Sequence, residues 1–165
     1  MPDLEQAASD QIVEYIRRVF PGHDMARVVA AVLEAEGMHV TVSAPGPDGG
    51  ADIFAGSGPL GLDSPRICVQ VKATAGVEDV KVLRELNGTM QAFGAEQGLL
   101  VCWSGVTKAA FKEARQHSFR IRIWDQDDLV RAIYRAYDKL PAEMQAELPL
   151  KRVWMLVRED AGGAE

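Results

Sequence analysis

Residues 98–103, GLLVCW, form a continuous apolar run, and this run places the strongest constraint on the fold. A strand covered on both faces has such a composition, whereas a strand with one solvated face alternates polar and apolar residues. The segments on either side have helical apolar spacing, at about 77–94 before the run and at 108–117 after it, with Thr107 as the predicted N-cap of the second helix. The sequence therefore predicts an α/β fold in which helices pack on a central sheet.

The remaining elements follow from the same periodicities. In chain order they are a helix at 9–20, a helix capped by Asp24 and ended by Gly37, strands at 38–44, 51–55 and 66–72, the helix at about 77–94, a strand at 98–103, the helix at 108–117, a strand at 119–125, a helix at about 127–140 and a short helix after Pro141. The first three strands can pair as an antiparallel meander, and the later ones join in parallel through helical crossovers. The expected architecture is a three-layer α/β fold with a mixed sheet flanked by helices.

The two ends of the chain are assigned separately. A single domain is expected over residues 1–157, with the helix at 9–20 as an N-terminal extension and residues 158–165 as a flexible tail. The segment LPLKRVWMLV, residues 148–157, reads as extended and apolar. It is either a contact of a homodimer or an edge strand packed on its own sheet, and the sequence leaves both interpretations open.

Composition excludes several classes of protein. The chain has 165 residues, 47% of them hydrophobic, which suits one globular domain with a sizeable core. The sequence contains no apolar run as long as a membrane span and no apolar core of a signal peptide, so a cytoplasmic protein without membrane contact is expected. The formal net charge of −6 argues against strong, stand-alone binding to a polyanion, although a metal-bridged phosphate remains compatible with it.

Cysteines and histidines give no sign of a zinc site. Cys68 and Cys102 each stand alone in an apolar strand, which suits neither a zinc site nor a disulfide framework. The three histidines form no recognisable ligand cluster, and His23 and His39 are expected to be surface or packing residues.

Strand geometry brings three polar side chains together. In RICVQVK, residues 66–72, side chains alternate between the two faces, so Gln70 and Lys72 lie on one face at the strand's end. If the preceding strand pairs with this one, Asp52 approaches the same spot. An acid, an amide oxygen and a lysine converging at strand ends are suited to holding a hard divalent cation and activating a water molecule.

A second aspartate and a serine lie near this spot in sequence. Asp48 belongs to PGPDGGADI, residues 45–53, where Pro-Asp-Gly-Gly is a good turn sequence, so a structural role is favoured over a supporting role in the site. Ser104 is most simply a turn residue, with a supporting role in the site as the alternative.

Four segments in series resemble the Mrr-like branch of the PD-(D/E)xK restriction endonuclease superfamily. They are PDGGAD, VQVK, LRELNGTMQAFGAEQGLLV and WSGVTKAAFKEA, in the family's order and with its strand and helix spacing. The similarity runs from about Asp24 to Leu140, which is most of the chain. It implies the restriction-endonuclease-like core of α-βββ-α-β.

The resemblance also implies roles for individual residues. Asp52 matches the metal-binding aspartate, Gln70 the position that is glutamate in most of the superfamily, and Lys72 the lysine that activates the attacking water. The backbone carbonyl of Val71 would complete the metal shell. The implied activity is hydrolysis of DNA phosphodiester bonds with Mg²⁺, or Mn²⁺ as a substitute, on double-stranded DNA. Restriction of foreign or modified DNA is the expected context.

One departure from the family pattern bears on the mechanism. Many members carry a glutamate early in the helix before the first strand, and the matching position here is Ala26. Asp24 just upstream and Glu34 near the other end of the helix are the neighbouring carboxylates, and the sequence does not decide whether either completes the site. The missing glutamate argues against a two-metal form of the reaction.

Two functional interpretations follow from these residues. An intact set of Asp52, Gln70 and Lys72 favours a nuclease. The acidic surface and the missing helix glutamate favour a catalytically weak module that binds nucleic acid or assembles a complex. Because no helix-turn-helix pattern precedes the core, a separate domain or subunit is expected to read the DNA, and cleavage of both strands predicts a homodimer.

Overall fold

The computed structural model describes residues 3–44 and 50–157, which form a five-stranded sheet with helices on both faces. Its strands are β1 (His39–Val42), β2 (Ile53–Ser57), β3 (Asp63–Lys72), β4 (Gln97–Cys102) and β5 (Ile121–Trp124), and they lie side by side in chain order. The pairs β1–β2 and β2–β3 are antiparallel, while β3–β4 and β4–β5 are parallel. The mixed sheet expected from the sequence is confirmed.

The helices enclose the sheet in two layers. They are α1 (Leu4–Val19), α2 (Asp24–Ala35), α3 (Val80–Phe93), α4 (Lys108–Arg115), α5 (Gln126–Ala136) and α6 (Ala142–Glu147), with a 3₁₀ turn at Tyr137–Lys139. The larger core joins α1, α2 and α5 to one face of the sheet, and a second core joins α3 and α4 to the other face. This is the expected three-layer arrangement. None of the helices described is long and apolar enough to cross a membrane.

Several boundaries differ from the predicted ones. Helix α1 begins at Leu4, not at residue 9, because Asp3 caps it by accepting hydrogen bonds from the amides of Glu5 and Gln6. Strand β3 begins at Asp63, inside the predicted loop, since a register shift after Ala55 lets Ser57 pair with Asp63. Asp24 as a helix cap is wrong: it is the first residue of α2, and His23 occupies the N-cap position. The predicted capping by Thr107 is confirmed, with its hydroxyl accepting from the Ala110 amide.

Residues 148–157 contain no strand, so the edge-strand interpretation of this segment is wrong. Its start is held by Tyr137, whose hydroxyl donates to the Leu148 carbonyl and accepts from the Leu150 amide. The side chains from Val153 to Val157 are exposed. The dimer contact and the single domain over 1–157 stay predictions, and the predicted tail at 158–165 lies outside the described residues.

Candidate active site

Strand β3 alternates as expected between the two cores. Val69 packs with α2 and α5, and Cys68 packs with α3 and α4, so Gln70 and Lys72 belong to the α3 face. Gln70 is only 7% exposed. Lys72 is half-buried at the last position of the strand. The sequence thus places an amide and an ammonium group on one face, at the carboxyl end of a central strand.

Asp52 meets this strand end through its own backbone and side chain. It directly precedes β2, and its amide donates to the Val69 carbonyl at 2.8 Å. Its Oδ2 accepts a hydrogen bond from the Val71 amide at 2.6 Å. The Asp52 carboxylate therefore lies against β3 at Val71, the residue between Gln70 and Lys72 in the strand. Since the N–H and C=O of one strand residue project to the same edge, the Val71 carbonyl also points to the Asp52 side.

The Gln70 side chain has an unusual environment for an amide. Its Oε1 is buried and has no hydrogen-bond partner among the residues the structure describes. A buried, unsatisfied polar group costs about 1–3 kcal/mol, so the fold alone gives no reason for an amide here. An oxygen-binding cation would satisfy it, and carboxylate, amide and main-chain oxygens are the ligands that Mg²⁺ accepts. The donor set fits such a cation.

The proposed ligands are not a cluster of acidic side chains. Within residues 3–44 and 50–157, no three side chains of the types His, Cys, Asp and Glu are placed to hold a metal together. Asp52 would be the one carboxylate of the assigned set, and the amide and carbonyl oxygens would supply the remaining protein ligands.

Lys72 is fixed by the parallel pairing of β3 and β4. Its carbonyl accepts a hydrogen bond from the Trp103 amide at 2.9 Å, and the residue lies beside Cys102 in register. Burial, and to a smaller extent the negative charge of Glu78, raise the pKa of the Cys102 thiol to about 12, while the positive charge of Lys72 acts in the opposite direction. The Lys72 charge is therefore felt on the α3 face of the sheet, the face that also carries Gln70.

The sequence offered four further candidates near this site, and the structure describes three of them. Asp48 falls outside the described residues. Ser104 Oγ donates to the Thr74 carbonyl at 2.7 Å, which supports its interpretation as a turn residue. Asp24 is exposed at the first turn of α2. Glu34 lies ten residues further along α2, about 15 Å from the helix start, so of the two carboxylates left open Asp24 is the one at the start of the helix.

His23 is the neighbour of Asp52 that sequence reasoning missed. Its Nδ1 lies 3.9 Å from Asp52 Oδ1, and both side chains are 29% exposed. The expectation of a surface or packing histidine did not include this neighbour. The one sequence feature nearby was the alanine at position 26, where the resemblance expects a glutamate, three residues after His23.

Comparisons with known proteins identify a family and agree with the fold. A restriction endonuclease family, Mrr_cat, matches residues 17–133. Among solved structures, the DNA modification-dependent restriction endonuclease AspBHI is similar at 20% identity with a TM-score of 0.63, covering 90% of this chain and 42% of that one. The MspJI restriction endonuclease in complex with a 27-mer oligonucleotide is similar at 14% identity with a TM-score of 0.59, covering 87% and 36%. No curated protein sequence matches the chain significantly. The chain thus spans less than half the length of both structural relatives.

Proposed function

Because the chain belongs to the Mrr_cat restriction endonuclease family, we propose that it is a Mg²⁺-dependent DNA endonuclease that hydrolyses phosphodiester bonds and accepts Mn²⁺ as a substitute. One observation carries the proposal: Asp52 is hydrogen-bonded to the Val71 amide, between a buried Gln70 whose Oε1 lacks a partner in the described structure and a half-buried Lys72. A carboxylate, an amide oxygen and a lysine ammonium group at one strand end are suited to binding a metal ion and stabilising the charge that develops in phosphodiester hydrolysis.

Each residue has a distinct task in this proposal. Asp52 Oδ1, the Gln70 Oε1 and the Val71 carbonyl would bind the cation. When bound, the cation supplies positive charge that acidifies a water molecule and neutralises the phosphate. The Lys72 ammonium group orients the attacking water by donating a hydrogen bond to it, and stabilises the negative charge that develops on the phosphate oxygens. The hydrogen bond from Val71 to Asp52 Oδ2 orients the carboxylate and leaves its other oxygen for the cation.

The biological setting is proposed from the restriction endonuclease family and from the net charge of the chain. The family supports a role in DNA restriction, and we place it in the cytoplasm, acting on foreign or modified double-stranded DNA. A net charge of −6 gives little non-specific affinity for DNA. We therefore assign sequence reading to another domain or subunit. Cleavage of both strands would use a homodimer, for which the exposed apolar residues from Val153 to Val157 are the contact we favour.

A plasmid-nicking assay tests the proposal. The purified protein is incubated with supercoiled plasmid and Mg²⁺, with EDTA in a parallel reaction and the Lys72→Met variant as a matched control. Nicking that needs Mg²⁺ and disappears in the variant supports the nuclease. Folded wild-type protein that shifts DNA in a gel but never nicks it, with Mg²⁺ or Mn²⁺, would establish the alternative, a binding or assembly module that has kept the fold.

A further inference from the structure

The start of α2 carries an imidazole beside the proposed metal ligand. His23 Nδ1 is 3.9 Å from Asp52 Oδ1, and Asp52 Oδ2 is already occupied by the Val71 amide. The carboxylate oxygen that is proposed to bind the cation is thus the one that faces the imidazole.

We infer that His23 is a ligand of the cation held by Asp52 and Gln70, and that this nitrogen ligand makes the site prefer Mn²⁺ over Mg²⁺. The inference rests on the metal site of the proposed function, and it adds one residue and a metal preference to it. It also identifies what replaces the helix glutamate, since Ala26 has no donor atom to offer and is fully buried.

The distance between the two donor atoms fits a shared cation. A separation of 3.9 Å exceeds the upper limit of about 3.5 Å for a hydrogen bond, so the two groups do not hydrogen-bond directly. Two atoms that each lie about 2.1 Å from one cation can be separated by up to about 4.2 Å. The imidazole and the carboxylate therefore stand within the span that a single cation can bridge.

Helix capping does not account for the histidine. His23 occupies the N-cap position of α2, where Ser, Thr, Asp and Asn are preferred because their side chains accept hydrogen bonds from the first amides. Its side chain makes no such bond, and its backbone is in the α-helical region. The imidazole is therefore not used by the helix it precedes, and it lies beside Asp52.

A nitrogen ligand changes which metal the site takes. Mg²⁺ is a hard cation that prefers oxygen ligands throughout, whereas imidazole suits transition metals, and affinity for mixed nitrogen and oxygen sites rises along the first-row series from Mn²⁺. A site of one carboxylate, one amide, one carbonyl and one imidazole thus favours Mn²⁺ over Mg²⁺ more than the three oxygen ligands alone would.

Pulsed electron paramagnetic resonance of bound Mn²⁺ tests the inference directly. In protein grown with ¹⁵N-histidine, the Mn²⁺ spectrum should show coupling to a ¹⁵N nucleus in place of ¹⁴N, a result that needs no variant. His23→Gln should lose the nitrogen coupling and bind Mn²⁺ at least about tenfold more weakly. Its affinity for Mg²⁺, measured by competition, should fall less, because the glutamine offers an oxygen.

Matched variants separate the inference from the function on which it rests. His117→Ala is the control, because His117 precedes β5 at the opposite edge of the sheet, and it should keep both the coupling and the affinity. Mn²⁺ that binds the wild type without nitrogen coupling, and is lost only in Asp52→Ala, would overturn the role of His23 and leave the proposed metal site intact. A wild type that binds no Mn²⁺ overturns both.

Discussion

β3 and β4 are parallel neighbours in which Gln70 lies beside Leu100 and Lys72 beside Cys102. All four positions face the core formed with α3 and α4, yet one strand ends in an amide and an ammonium group and the other in a leucine and a thiol. Leu100 is fully buried and Cys102 is 1% exposed, so their positions are ordinary core positions. Gln70 sits at nearly the same depth with an oxygen that the described residues leave unpaired.

The two strand ends differ in what their side chains contribute to the stability of the fold. The end of β4 carries what close packing favours, whereas the end of β3 carries groups that close packing disfavours by about 1–3 kcal/mol for the amide alone. Asp52 is hydrogen-bonded to β3 and gives the polar pair an acidic neighbour. Under the proposed function, the end of β3 gives up stability for chemistry, and substitutions along the two strands should reveal this.

The largest effect is expected at Asp52. Asp52→Ala should abolish both divalent-cation binding and cleavage, because a neutral amide and one carbonyl cannot hold the cation without a carboxylate. Calorimetry measures the binding and plasmid nicking the cleavage, with circular dichroism to check the fold. Asp48→Ala is the matched control from the same stretch of sequence, and it should only slow the reaction or lower stability. The opposite pattern, with Asp48 required and Asp52 dispensable, would show that the two aspartates are assigned the wrong way round.

Lys72 should give the next largest effect, with a different signature. Lys72→Met keeps the length of the side chain and removes the charge, so cleavage should fall by about 10²–10⁴-fold while cation binding is kept. The measurement is the single-turnover nicking rate at saturating Mg²⁺ alongside calorimetry. Lys81→Met, on the exposed face of α3, serves as the control and should be silent. A Lys72 variant that cleaves normally but fails to bind the cation would contradict the division of roles.

Gln70 should respond in opposite directions to two substitutions. Gln70→Met replaces the buried amide by an apolar group of similar shape, which should raise the free energy of unfolding by about 1–3 kcal/mol and weaken cation binding. Gln70→Glu should bind the cation more tightly, and without it should be less stable because a second carboxylate lies near Asp52. Urea unfolding with and without Mg²⁺ measures both. If Gln70→Met is less stable than the wild type, the amide has a structural partner and the contrast with Leu100 fails.

Much of the sheet and of the β3 end could be predicted from the sequence, because these features depend on the spacing of apolar residues and on the order of the elements along the chain. The alternation in RICVQVK placed Gln70 and Lys72 on one face, and the uninterrupted run GLLVCW required a strand covered by helices on both sides. The mixed sheet then followed from chain order. Each of these inferences uses side-chain periodicity, which is fixed by backbone geometry and is visible in a single sequence.

The parts that were missed depend on contacts between distant segments. The approach of His23 to Asp52 joins the start of α2 to the start of β2, and no period within either segment reports it. The early start of β3 depends on a register shift against β2. The glycine-rich sequence around this shift has no alternating pattern that would predict it. Helix α1 was predicted too short because its first turns are held by the Asp3 cap and carry mostly exposed side chains.

The smallest expected effect is a pH dependence of stability that comes from Cys102, at the end of β4. Burial raises the pKa of this thiol from an ordinary value of 9.0 to about 12, so the folded protein keeps a proton that the unfolded chain releases. The resulting stability is fully present below about pH 9 and is lost as the pH rises toward 12. Between pH 8 and pH 10 the wild type should therefore lose about 1 kcal/mol more of its unfolding free energy than Cys102→Val, in which nothing titrates at this position. Urea unfolding at the two pH values measures this. Equal losses in the two proteins would mean that the thiol is open to solvent, and that the end of β4 is not the closed apolar counterpart of the end of β3.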